Sequence, residues 1–91
     1  MMRFEFDPEK NRLNKLRHGL DFHDAQYLWK ADHFVIEVES RGESRSAILG
    51  MIHEEHYVAI FTMRGQNVRL ISFHRADKRL VKIYEKFIKE K

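Results

Sequence analysis

Aromatic and charged side chains alternate weakly over residues 2–6, with Phe4 and Phe6 on one face, and this predicts a short strand. Asp7-Pro8 then starts a helix. Asp7 is a good N-cap, and Pro8 at the first helical position gives up an N–H that has no partner there anyway. Leu13 and Leu16 mark the stripe expected to be buried, and Gly19 supplies a left-handed stop. Asp21 reopens the chain into a second helix through Trp29, with Phe22, Ala25, Leu28 and Trp29 at i, i+3, i+6 and i+7.

After Ala31 the period changes to two. His33–Glu39 sets Phe34, Val35, Ile36 and Val38 beside Glu37 and Glu39, the pattern of a half-exposed strand. Ser40-Arg41-Gly42-Glu43 turns the chain into a return strand, Arg45–Ile52, and His53–Glu55 forms the next turn. His56–Met63 is apolar on both faces, as a central strand should be, and Arg64-Gly65-Gln66-Asn67 leads into Val68–Phe73. Asp77 caps a last helix whose stripe is Leu80, Val81, Tyr84, Phe87 and Ile88. The expected order is β-α-α-β-β-β-β-α: an α+β fold with an antiparallel meander sheet and its helices segregated to one side.

At 91 residues the chain fits a single domain, 1–91, with one modest core. No repeat or Gly/Ser/Pro linker divides it. It has no cysteine, so disulfides and thiolate metal sites are excluded. No apolar run approaches the ~20 residues that span a bilayer, and MMRFEFDPEK lacks a signal-peptide core. The expectation is a cytoplasmic protein without membrane contact.

Charge changes the picture more. Residues 1–19 hold five Lys/Arg against three Asp/Glu, residues 20–73 five against eight, and residues 74–91 seven against three. A formal net charge of +3 thus hides two basic ends around an acidic middle. One surface then suits a polyanion and another a different partner. The densest basic stretch, Arg64 to Tyr84, carries Arg64, Arg69, His74, Arg75, Lys78, Arg79 and Lys82 against Asp77 alone. Guanidiniums offer planar, permanently charged forks to a phosphodiester, and an imidazole can move a proton near neutral pH. A solvated basic helix face is the plainer alternative.

Two blocks resemble one family. Phe4-Glu5-Phe6-Asp7-Pro8, then Lys10, Asn14 and Arg17-His18-Gly19 with Phe22 and Ala25 after them, resembles the opening of the BrnT toxins, F-E-W-D-P-x-K-x-x-x-N-x-x-K-H-G. Arg69-Leu70-Ile71-Ser72-Phe73-His74-Arg75-Ala76, followed by Arg79 and Tyr84, resembles that family's R-x-I-S-x-R-x-A block. The resemblance implies a RelE-like, metal-independent endoribonuclease toxin of a bacterial type II toxin–antitoxin pair, cutting RNA and slowing translation without a cofactor. It also implies a ribbon-helix-helix antitoxin, in a heterotetramer that binds operator DNA through the antitoxin. Phe6 stands where Trp is common, Arg17 replaces Lys, and His74 occupies a position where Arg is usual. That last departure motivates an alternative: a catalytically silent RNA- or antitoxin-binding module acting in a repressor complex.

Cutting RNA without a metal requires removing the 2′-OH proton, stabilising the phosphorane and protonating the 5′ oxygen. Arg64, Arg75 and Arg79 are the candidate charge stabilisers, and His74 is the candidate acid or base. Lys10, Arg69 and Lys82 are candidate RNA-binding cations, although Lys82, like Lys78, Lys86 and Lys89, also fits a solvated face. His18, just before Gly19, suits a cation at a helix C-terminus. Tyr84 lies on the apolar stripe and is expected to be a core aromatic whose hydroxyl reaches a partner. His53-Glu54-Glu55-His56 lacks the H-E-x-x-H spacing and falls in a turn, so no metal site is assigned. Phe4/Phe6 and Tyr27/Trp29 are expected in the core.

Overall fold

The computed structural model describes residues 3–40 and 42–90, so the expected residues Met2 and Arg41 lie outside the described part. The elements are β1 (Arg3–Glu5), α1 (Pro8–His18), a 3-10 turn (Asp24–Gln26), α2 (Tyr27–Lys30), β2 (His33–Ser40), β3 (Glu43–Ile52), β4 (Glu55–Arg64), β5 (Asn67–Arg75) and α3 (Lys78–Lys89). The caps are those the sequence predicts. Asp7 Oδ1 accepts from the Glu9 N–H at 2.9 Å, and Gly19 at φ 78° returns its N–H to the Lys15 carbonyl. Asp77 Oδ1 accepts from the Leu80 N–H at 2.9 Å. The predicted second helix is only a 3-10 turn and the four residues Tyr27–Lys30. Asp21 and Asp24 explain this: their carboxylates take the nearby His23 and Asp21 N–H groups and stabilise a turn instead of an early helical start.

The strand order is β1-β5-β4-β3-β2. Strands β2 to β5 form the expected antiparallel meander, but β1 pairs parallel to β5, so the sheet is mixed and not purely antiparallel. The cause is the route of the chain. After β1 it leaves through the helices and re-enters at the far edge as β2, and three reversals bring β5 back alongside β1 in the same direction.

The helices are not segregated to one side. Phe22, Ala25 and Leu28 pack with Ile48, Phe61 and Phe73 on one face, whereas Tyr84 packs with Ala47, Leu49 and Val58 on the other. Ile48 and Leu49 are neighbours in β3 and point to opposite faces, so each face needs its own cover. Each fully buried Phe or Leu contributes roughly 1.5–3 kcal/mol. Tyr84 behaves as expected, buried with its hydroxyl donating to the Asp32 carbonyl at 3.1 Å.

Other expectations are overturned on α1 and α2. None of α1 is buried; Leu13 is 37% and Leu16 72% exposed. Tyr27 is 51% exposed, while Trp29 makes edge contacts with Phe4 and Phe61. The helix α1 is held mainly by polar ties at its flank: the Phe22 N–H donates to Asn11 Oδ1 at 2.6 Å, and Asn14 Nδ2 donates to the Leu20 carbonyl at 3.1 Å.

Candidate functional site

A bulge in β5 sets the geometry of the site. Phe61 pairs with Leu70 but Ile60 pairs with Ser72, which leaves Ile71 as the extra residue. Without that slip, Leu70, Ser72 and His74 would share a face. With it, Val68, Leu70 and Phe73 all enter the core, and Asn67, Arg69, Ser72 and His74 turn to the α3 side. Strand β1 pairs with β5 only from Asn67 to Arg69, so among the described residues no strand lies beside the outer edge of β5 beyond Arg69.

The helix α1 lies along that stretch. Lys10, Leu13, Asn14, Arg17 and His18 face Ile71 and Ser72 across a groove of about 230 Å³ floored by Phe22. At its end the His18 and His74 rings stand with centroids 6.3 Å apart and planes at 45°. Two sequence blocks more than fifty residues apart therefore meet in one cleft. The His74 Nδ1 lies 3.0 Å from the Arg75 carbonyl. A carbonyl only accepts, so Nδ1 carries the hydrogen and Nε2 keeps its lone pair as an acceptor when the ring is neutral.

The remaining candidates are distributed as follows. His74 and Arg75 lie on β5 itself, which runs two residues past the predicted end. Arg75 is exposed and its guanidinium is paired with Glu55 of β4. Arg79 stands exposed in the first turn of α3, just after β5. Arg69 is half-buried on the same face as Ser72 and His74. Lys82 belongs to the outward surface of α3 with Glu85, Lys86 and Lys89. Arg64 ends β4 instead of sitting in the turn, and pairs with Glu5 at 3.5 Å. Its register partner is Asn67, whereas that of Arg75 is Tyr57. Seven residues of β4 separate the two levels, roughly 23 Å at ~3.3 Å per residue. Arg64 is therefore not brought together with His74, Arg75 and Arg79; its near neighbour is Arg69, diagonal across the hairpin.

Asn14, Arg17, His18 and Ser72 also line the groove, beyond the candidates that the charge pattern picks out. The signal for three of them was present: Lys10, Asn14, Arg17 and His18 follow at i, i+4, i+7 and i+8, one polar face of a helix. Ser72 needed the bulge. His53 and Glu54, at φ 51° and 68°, form the tight turn between β3 and β4. Among the described residues, no three or more His, Cys, Asp or Glu are gathered as metal ligands. A larger hollow of about 560 Å³, lined by Asp24, Tyr27, Lys30, Met51 and His53, contains none of the candidate residues. On α1, Glu9 and Arg12 shift one another: the hydrogen bond and charge of Arg12 hold the Glu9 carboxyl below the ordinary carboxylate range, and those of Glu9 raise the Arg12 guanidinium. No helix among the described residues is long and apolar enough to cross a membrane.

No curated protein matches the chain. Residues 6–79 match the family described as "Ribonuclease toxin, BrnT, of type II toxin-antitoxin system". That span starts before α1 and ends on Arg79, so it contains every residue of the groove, together with Arg75 and His74. The chain belongs to the BrnT family of ribonuclease toxins, whose setting is a type II toxin–antitoxin pair with RNA as substrate and an antitoxin as partner.

Proposed function

We propose that this chain cuts single-stranded RNA internally and needs no metal to do so. The observation that carries the reading is the meeting of α1 and β5, where Lys10, Arg17, His18 and Ser72 line one cleft and His74 stands against His18 at its end. Cations there attract the phosphodiester backbone. Arg75 and Arg79, close by in sequence, stabilise the charge that builds on the phosphorane, and His74 moves a proton. Arg64 and Arg69 hold the strand farther along β5. Lys10 and Lys82 add sequence-independent attraction.

The partner is a ribbon-helix-helix antitoxin that binds operator DNA within a heterotetramer, and the whole is one RelE-like domain working in the cytoplasm. Leu13 on the groove and the strongly exposed Leu16 beside it suit a protein partner better than RNA. An antitoxin seated on them would block the cleft.

The test is cleavage of a circular single-stranded RNA by the purified chain in EDTA. Linear product expected in EDTA supports both internal cutting and metal independence. Cleavage that returns only on adding a divalent cation would refute the second, and an intact circle under all conditions would refute the reading. Saturating antitoxin should abolish the activity.

A further inference from the structure

We propose that His18 and His74 form a proton-transfer pair, with His74 as general base and His18 as general acid on the same scissile phosphodiester. The inference rests on the ribonuclease reading and adds to it a second catalytic residue, on a helix the arginine block does not include. The rings, 6.3 Å apart between centroids, are too distant for a direct nitrogen–nitrogen hydrogen bond. They are close enough to reach different oxygens of one phosphodiester. His18 lines the open groove and His74 stands against it at the groove's end; His18 is exposed and His74 half-buried.

Roles follow from the bonding. With Nδ1 committed as donor to the Arg75 carbonyl, neutral His74 presents Nε2 as an acceptor. It takes the proton of the ribose 2′-OH as the 2′ oxygen bonds to phosphorus. The P–O5′ bond breaks, and protonated His18 gives its proton to the departing 5′ oxygen. The products are a 2′,3′-cyclic phosphate and a 5′-hydroxyl. His74 ends charged and His18 neutral, and exchange with water restores both. Charged groups around the pair are Lys10 and Arg17 from α1 and Arg75 from β5, the last paired with Glu55 of β4. His74 thus brings to β5 a group that can accept a proton, beside the permanent cation Arg75.

The experiment is single-turnover cleavage by the whole chain at a site the wild type cuts, as a function of pH. His18→Gln and His74→Gln should each lower the rate by about 10²–10⁴-fold. The wild-type profile should be bell-shaped, with one limb lost in each variant. A substrate with sulfur in place of the scissile 5′ oxygen has a leaving group that needs no proton. It should restore His18→Gln toward the wild-type rate and leave His74→Gln slow. His33→Gln, whose ring binds the Ala31 carbonyl at the start of β2, should behave as wild type. A His18→Gln variant with full rate and both limbs would overturn the pair, as would sulfur rescue of both variants or of neither. A folded wild type that cuts no RNA would instead overturn the ribonuclease reading itself.

Discussion

Replacing Arg64 and Arg75 separately asks whether position along β5 decides what an arginine does. Arg64 stands about 23 Å along β4 from the level of Arg75, at ~3.3 Å per residue. No single phosphate can lie within reach of both. Arg64→Ala should therefore leave the cleavage rate at saturating enzyme unchanged and weaken RNA binding. Losing one contact to a single strand lowers the salt slope, the fall of log K with log salt, by about 0.7. Arg75→Ala and Arg79→Ala should instead cut the saturated rate by about 10²–10³, the loss seen when a preorganised charge-stabilising donor is removed. Glu5 sharpens the contrast. Its carboxylate accepts from Asn67 at 2.7 Å and faces Arg64 at 3.5 Å, so Glu5→Gln should release Arg64, tighten RNA binding and steepen the slope. The assay is single-turnover cleavage plus equilibrium RNA binding over a salt series, each variant first checked for folding. A fall of 10² or more in the saturated rate of Arg64→Ala would refute the spatial division.

Four further outcomes concern stability, each read by urea denaturation. Tyr84→Phe removes the hydrogen bond to the Asp32 carbonyl and should cost about 0.5–1.5 kcal/mol. Leu28→Ala empties a fully buried position between α2 and β3 and should cost about 2–5 kcal/mol. Asp77→Ala removes the cap of α3 and should cost about 0.5–2 kcal/mol, whereas Leu16→Ala, at an exposed position, should change stability little.

Element identity was legible because the local signals were strong. Asp7-Pro8, Gly19 and Asp77 each do in the fold what their chemistry predicts, and the change of period at Ala31 marks the start of the sheet. The relations between elements were less legible. A three-residue strand carries no record of its neighbour, so the parallel pairing of β1 with β5 could not be read from Arg3–Glu5. The two-sided cover was half written: apolar residues on both faces of His56–Met63 called for helices on both sides. Leu13 and Leu16 misled because helical spacing of apolar residues marks a face without saying what covers it.

The site was legible in its chemistry and not in its assembly. Arg75, His74 and Arg79 follow from the basic block, but periodicity alone puts Ser72 and His74 on the same face as Leu70. The bulge at Ile71 reverses that, and nothing in the period of β5 announces it. Because of the bulge, three large side chains of β5 fill the core while its polar residues turn outward, and the short β1 leaves them beside α1. A helix with no buried residue is costly to explain by packing alone. Its polar ties through Asn11 and Asn14 fix it where Lys10, Arg17 and His18 border β5. The exposure of α1 thus has a physical account: this helix contributes less to the core than to the groove, and what it brings there is a second imidazole.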